Sequence, residues 1–239
     1  MRIEKDAWII NVPIAHRGLW GNGVEENTME AYADAVKKGY PVEIDLYETA
    51  DGKIVSYHDK WLERMTGEKA YVFDKTFEQL SALKIGRSNE RIPLFDEVLS
   101  LCENKVPLLI ELKDQPSKTM VEKVVKRLKI YKGEFAVQSF NPFYLMKVKK
   151  LAPEFLRGVL ACDNAEGEKP LTKWVVKHMP FNGLIKPDFI SYCFTGLPLP
   201  ERKRKGLPVL AWTVTDRKIC DNLSGKADNI IFEGFIPEK

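Results

Sequence analysis

The residues that could do chemistry fall at the ends of short apolar runs. Pro41–Leu46 reads Pro-Val-Glu-Ile-Asp-Leu. In an extended chain successive side chains alternate faces, so Glu43 and Asp45 project the same way. Burying an ionised carboxylate without a partner costs several kcal/mol, so a pair on one buried face needs a reason. Pro107–Lys113 repeats the arrangement, placing Glu111 and Lys113 together. If the two runs are neighbouring strands, three carboxylates converge. A hard divalent cation held by oxygen ligands, Mg²⁺ or Ca²⁺, would satisfy all three. Spacing leaves an alternative equally open, an ion-pair set with Lys113 and Arg17 and no metal.

The chain has three histidines. His16 ends one apolar run and is followed by Arg17-Gly18; His58 follows an Asp51-Gly52 turn and precedes Asp59. An imidazole that titrates near neutral pH is the usual general acid or base, and two suffice for a phosphoryl transfer. A lone histidine is usually structural, but two at strand ends beside a carboxylate cluster point to catalysis. His178, in a polar segment, reads as surface. Arg17 can grip a phosphate with two hydrogen bonds, and Lys113 offers a point charge.

These positions need a scaffold that gathers strand ends. Eight short apolar runs recur at Val12–His16, Pro41–Leu46, Pro107–Lys113, Phe135–Phe140, Arg157–Ala161, Pro187–Tyr192, Pro208–Val214 and Asp228–Glu233. Several are rich in Val and Ile, as strands buried on both faces are. Helix-like stretches alternate with them. Asn27-Thr28 offers a cap for a helix ending on Gly39, and residues 117–131, 141–152 and 216–224 show three- and four-residue apolar spacing. Eight strands alternating with helices over 239 residues predict an α/β fold of the (β/α)8 TIM-barrel class, active at the C-terminal ends of its strands. An open doubly wound sheet is the structural rival. The connection from Leu46 to Pro107 far exceeds a simple crossover. Its hairpin signal at Thr49–His58 marks an insertion, about residues 47–93, over one mouth of a single barrel domain spanning 1–239. A helix at about 94–104 returns to the core.

Composition sets limits. A chain of this size buries roughly 70–75% of its extended surface, so a full core is available. Lys plus Arg is 37 against 34 Asp plus Glu, a net charge of +3, which gives no electrostatic case for nucleic acid. The run Glu201-Arg202-Lys203-Arg204-Lys205 reads as solvated surface and is a weak polybasic patch for anionic lipid. No segment approaches the ~20 apolar residues of a membrane span. The opening segment is broken by Asn11 and Pro13, which argues against a cleaved signal. Four scattered cysteines fit reduced thiols, and a cytoplasmic location is the expectation. Nothing in the pattern demands an oligomer.

Taken together the motifs resemble the glycerophosphodiester phosphodiesterase family. Those that carry the resemblance are Ala15–Gly18, Glu26-Asn27-Thr28, Glu43-Ile44-Asp45, Thr49–Gly52, Tyr57-His58-Asp59, Ile110–Lys113, Gln138–Phe140 and Ala211–Val214. The resemblance implies a TIM barrel with a small insertion and metal-dependent hydrolysis of diesters such as glycerophosphocholine or glycerophosphoethanolamine. The products would be glycerol 3-phosphate and an alcohol. It implies Glu43, Asp45 and Glu111 as ligands of one divalent cation and His16 and His58 as acid and base. Arg17 and Lys113 would serve the phosphate, with Trp212 as a substrate contact. Two departures bear on the pocket wall: Thr215 stands where the family commonly has Asn, and Asp228–Pro237 lacks the usual Asp-Gly and Thr-Asp-Pro stretch. The nearest rival is a phospholipase D-like hydrolase of lysophospholipids. It would need an apolar groove of the kind Trp20, Trp61, Tyr71 and Phe73 could supply. A phosphodiester-sensing barrel without catalysis is a rival from another class.

Overall fold

A computed structural model describes residues 3–165, 167 and 169–238. In chain order the elements are α1 (Trp8–Asn11), β1 (Ile14–His16), α2 (Met29–Lys38), β2 (Val42–Glu48), β3 (Ile54–Ser56), α3 (Glu63–Thr66), α4 (Phe77–Ser81), α5 (Phe95–Cys102), β4 (Leu108–Leu112) and α6 (Met120–Leu128). They continue with β5 (Phe135–Ser139), α7 (Pro142–Leu151), β6 (Arg157–Ala161), α8 (Pro170–His178), α9 (Asn182–Ile185), β7 (Phe189–Cys193), α10 (Glu201–Arg204), β8 (Val209–Val214), α11 (Arg217–Asn222) and β9 (Asn229–Phe232). The strand order is β1-β9-β8-β7-β6-β5-β4-β2-β3, and β1 also pairs with β2. The sheet therefore returns on itself, and its eight parallel strands make the expected closed barrel. The eight strands fall on the eight apolar runs, each within two residues of the expected ends.

The chain divides into two compact units, one of residues 1–14 and 136–239, the other of residues 15–135. In the second, β2 is buried at every position, as a strand covered on both faces must be. It pairs in parallel with β4 along its length and with β1 at Val42 and Glu43. Beyond the end of β1, β2 runs on and pairs antiparallel with β3. The Thr49–Lys53 turn joins them, with the Thr49 N–H donating to the Lys53 carbonyl at 2.8 Å. This is the hairpin that Asp51-Gly52 signals. The insertion has its own apolar cluster of Tyr47, Val55, Tyr57, Leu62, Val72, Leu80, Ile85 and Ile92. Burying such a cluster stabilises the insertion by about 1.5–3 kcal/mol per large side chain before the ordering entropy is charged against it.

The helix at 29–38 obeys its sequence signals. The Thr28 side chain accepts the Ala31 N–H, and Gly39 closes the helix at φ 68°, the left-handed geometry glycine adopts without penalty. In the other unit β5, β6, β7, β8 and β9 pair in parallel in that order. A core of Leu145, Val159, Ala161, Ile190, Tyr192 and Val209 lies beneath α7 and α9. Helices α1, α8 and α9 were not anticipated from the sequence, α1 and α9 being a single turn each. Within the basic run, Lys203 and Arg204 are half-buried rather than solvated. The Arg204 guanidinium donates two hydrogen bonds to Asp228.

Candidate active site

Strand register assembles the acidic cluster. Glu43 stands beside His16 in the β1–β2 pairing, and Asp45 beside Glu111 in the β2–β4 pairing. One carboxylate oxygen from each of Glu43, Asp45 and Glu111 lies within 4.8 Å of the others, and all three residues are buried. The Lys113 ammonium sits 3.0 Å from Glu111 and 3.3 Å from Asp45. The His16 Nε2 is 4.0 Å from Glu43, and the Arg17 backbone N–H donates to the same carboxylate at 3.2 Å.

The turn after β1 is built to aim these groups. Arg17 holds φ 59° and Gly18 φ 87°. A Cβ at Gly18 would meet the Ala31 carbonyl carbon at 2.7 Å, so only glycine lets the turn close on α2. Asn27 also takes a positive φ, 53°, which asparagine tolerates better than most residues. Its backbone N–H donates to the Arg17 carbonyl at 3.0 Å, and its side-chain amide donates to Asp45 at 3.0 Å. Its amide oxygen accepts from the Tyr32 hydroxyl at 2.6 Å, and that hydroxyl also meets Ser56 at 2.6 Å. One buried amide thus ties β2, β3 and α2 to the carboxylate it orients.

His58 follows β3, and its Nδ1 lies 2.6 Å from Asp59. With Nδ1–H donating to that carboxylate, Nε2 carries the lone pair. Asp59 also accepts from Arg64, which reaches on to Glu26, and Glu26 in turn accepts from Arg17 at 2.8 Å. A continuous chain of charge-assisted hydrogen bonds therefore runs from His58 to Arg17, from the insertion to the turn after β1. Trp20 donates its indole N–H to the His16 carbonyl at 3.0 Å.

The charges follow from burial and neighbours. Burial pushes the Glu43 carboxyl well above its ordinary value, and the Asp45 and Glu111 charges push it further. Glu111 is raised by burial against the pull of Lys113. Burial also opposes the charged form of Asp45, but Lys113, His58, Arg17 and His16 outweigh it and hold Asp45 below the usual range. Lys113 is kept protonated: burial disfavours its charge, and Glu111 and Asp45 more than restore it. Buried carboxylates whose charged forms are disfavoured by burial and by one another are the donor set a hard divalent cation fits. The Asp45 Oδ1 adds to the fit, since it is buried and no hydrogen bond reaches it.

The structure thus brings together His16, Arg17, Glu43, Asp45, Glu111 and Lys113 directly, with His58 near enough for its charge to act on Asp45 and Glu111. Glu26, Asn27, Tyr32, Asp59 and Arg64 join them. Glu26 and Asn27 stood in one of the resemblance motifs without an assigned role, Asn27 also as a helix cap beside Thr28, and no spacing rule links Arg64 to Glu26. Trp212 belongs to the other unit, where it packs edge-to-face on Phe140 with ring centres 5.6 Å apart. His178 is exposed, with its ring 5.4 Å from that of Trp174.

Comparison with known proteins converges on one family. The glycerophosphoryl diester phosphodiesterase family matches residues 16–231. A glycerophosphodiester phosphodiesterase of Caldanaerobacter subterraneus is 34% identical over 221 residues, 86% of each chain. Among solved structures, a phosphodiesterase of Oleispira antarctica in complex with the product sn-glycerol-3-phosphate superposes with a TM-score of 0.77. It is 24% identical, over 94% of each chain. A glycerophosphodiester phosphodiesterase of Thermotoga maritima gives 0.71 at 22% identity, covering 93% of this chain and 94% of that one. By sequence and by fold, the chain belongs to the glycerophosphoryl diester phosphodiesterase family and is an enzyme of that family.

Proposed function

We propose that the protein hydrolyses glycerophosphodiesters such as glycerophosphocholine and glycerophosphoethanolamine to glycerol 3-phosphate and an alcohol. In this reading one divalent cation, Mg²⁺ or Ca²⁺, is held by Glu43, Asp45 and Glu111, and His16 and His58 are the acid–base pair. The observation that carries it is the set of three buried carboxylates within 4.8 Å of one another, flanked by two imidazoles and two fixed cations. The Oleispira relative's bound product supports the glycerol phosphate half of the substrate.

When bound, the cation neutralises charge on the phosphate and lowers the pKa of an attached hydroxyl. The chain's own groups do the rest. Asn27 and Lys113 fix the orientation of Asp45, and the Arg17 backbone N–H fixes Glu43. Lys113 and Arg17 present positive charge to the non-bridging oxygens, where it is worth most in the transition state. One histidine takes the proton of the attacking hydroxyl and the other protonates the departing alkoxide, a poor leaving group without that proton. Asp59 holds the His58 ring by its Nδ1 and so fixes where Nε2 points. Replacing either histidine by alanine tests the assignment. Each change lowers kcat about 10²–10⁴-fold while metal binding persists, and near-normal turnover in either variant would exclude that histidine from the chemistry.

A second reading, hydrolysis of lysophospholipids, draws on the aromatic cluster of the insertion. Trp61 and Tyr71 are partly exposed and pack edge-to-face at 4.8 Å, and Tyr71 stacks on Phe73 at 5.0 Å. Faster turnover of micellar lysolipid than of soluble glycerophosphocholine would favour it.

A further inference from the structure

Helices α7, α8 and α9 carry an apolar and basic surface that the hydrolysis does not use. Pro142 and Leu145 of α7, Val175 and Val176 of α8, and Phe181 and Ile185 line one small cleft, so the three helices are neighbours. Phe143 and Phe181 touch, with ring centres 5.8 Å apart, and Lys149 of α7 donates to the Leu184 carbonyl of α9. The outward side chains of these helices include Phe143 at 64% exposure, Leu171 at 74%, Trp174 at 52% and Leu184 at 60%. Four large apolar side chains this open on adjacent helices are unusual for a surface that meets only water.

The charge that these helices themselves carry has one sign. α7 contributes Lys147, Lys149 and Lys150 and α8 contributes Lys173 and Lys177, with no carboxylate in either helix or in α9. α10 extends the set, since Lys203 donates to the Lys177 carbonyl at 3.0 Å. Burial and the like charges of Lys177 and Arg202 push the Lys203 ammonium below its ordinary value, against the opposing pull of Asp163. Glu154 and Asp163 are exposed nearby, while three other neighbouring acids are turned to other work. Asp188 accepts the Arg157 N–H, Glu201 the Gly206 N–H, and Asp228 the Arg204 guanidinium. Glu166 and Glu168, ahead of α8, lie outside the described residues.

We propose that this surface, centred on Leu171 and Trp174 of α8, docks the protein peripherally on an anionic lipid bilayer. Lysines would meet the phosphate headgroups while the protruding Trp, Phe and Leu side chains enter the interfacial region. A bilayer takes up isolated protruding side chains without matching pockets, whereas a protein partner needs a complementary shape. A second copy is disfavoured by charge, because a two-fold contact would set this lysine-rich face against itself. Among the described residues no helix is long and apolar enough to cross a membrane, which fits attachment at the surface. The docking is independent of the phosphodiesterase reading, because binding is measured without turnover.

The test is co-sedimentation of the full chain with phosphatidylcholine vesicles, with and without phosphatidylglycerol, at low and high salt. Binding is expected only to the anionic vesicles and should fall with salt. The double variants Leu171→Ala with Trp174→Ala, and Lys173→Glu with Lys177→Glu, should each weaken it about tenfold or more. All four residues are exposed, so turnover of soluble glycerophosphocholine should be unchanged. The proposal is overturned if the wild type ignores anionic vesicles at low salt, if neutral vesicles bind it equally, or if the variants bind as the wild type does. A lipid-free dimer abolished by Trp174→Ala would assign the surface to a second copy and also overturn it.

Discussion

Asn27 shows how much of the site rests on a residue outside the carboxylate cluster and the two histidines. Its amide holds Asp45 on one side and the Tyr32–Ser56 pair on the other, while its own backbone sits at φ 53°. Asn27→Ala leaves a buried carboxylate oxygen short of a donor and puts at positive φ a residue that tolerates it less well than asparagine. We expect a loss of about 1–3 kcal/mol in stability and about 10–100-fold weaker metal binding. Asn27→Gly should lose the metal affinity equally but recover part of the stability, since glycine accepts the backbone. Equal affinity in wild type and both variants, measured by calorimetric titration, would exclude Asn27 from orienting Asp45. At this scale the carboxylates and both histidines were legible, because charged side chains break apolar runs at alternating positions. The roles of Asn27, Glu26 and Arg64 were not, because their partners lie 18 and 38 residues away in the chain.

Two connections do the positioning. The turn after β1 closes only because Gly18 lets it approach α2. Gly18→Ala should cost about 1–3 kcal/mol from backbone strain alone, with additional loss from the clash at Ala31. Turnover should fall more than stability explains, because His16 and Arg17 are displaced together. A variant with wild-type kcat and thermal midpoint would contradict this. The second connection is α3, whose Arg64 joins Asp59 to Glu26. Burial opposes ionisation of Glu26, but hydrogen bonding to Arg64 and the charges around it leave the carboxyl below its ordinary value; Asp59 is lowered likewise. Acids depressed in the folded state contribute their full stability above the pH where the free side chain titrates, and lose it as pH falls through the folded value. The two contributions therefore vanish progressively below about pH 4.5. Arg64→Ala removes the shared partner and should cost about 1 kcal/mol near neutrality, screened because Arg64 is half exposed. It should also narrow the wild-type advantage as pH falls from 5 to 3. An advantage constant with pH would show that the bridge carries no linkage. The hairpin of β2 and β3 was readable from Asp51-Gly52, whereas α8 was obscured because Leu171 and Trp174 interrupt the polar residues of its exposed face.

At the scale of the molecule, alternation of apolar runs with helical segments was enough to fix the class of fold. Strands buried on both faces have few ways to be covered other than by helices, and eight of them close a barrel. The long connection after Leu46 was visible as an excess of length. That it carries its own apolar cluster depended on which of Tyr47, Leu62, Val72 and Leu80 meet in space, which periodicity over such short segments does not reveal. In the proposed reading a divalent cation on the Glu43–Asp45–Glu111 cluster makes this barrel a glycerophosphodiesterase. It is tested most directly by release of glycerol 3-phosphate from glycerophosphocholine and glycerophosphoethanolamine, with EDTA, Mg²⁺ and Ca²⁺ in parallel. We expect release with at least one of the two cations, none with EDTA, and recovery when the cation is returned in excess. Release that EDTA leaves untouched, or no release with either cation, would contradict it.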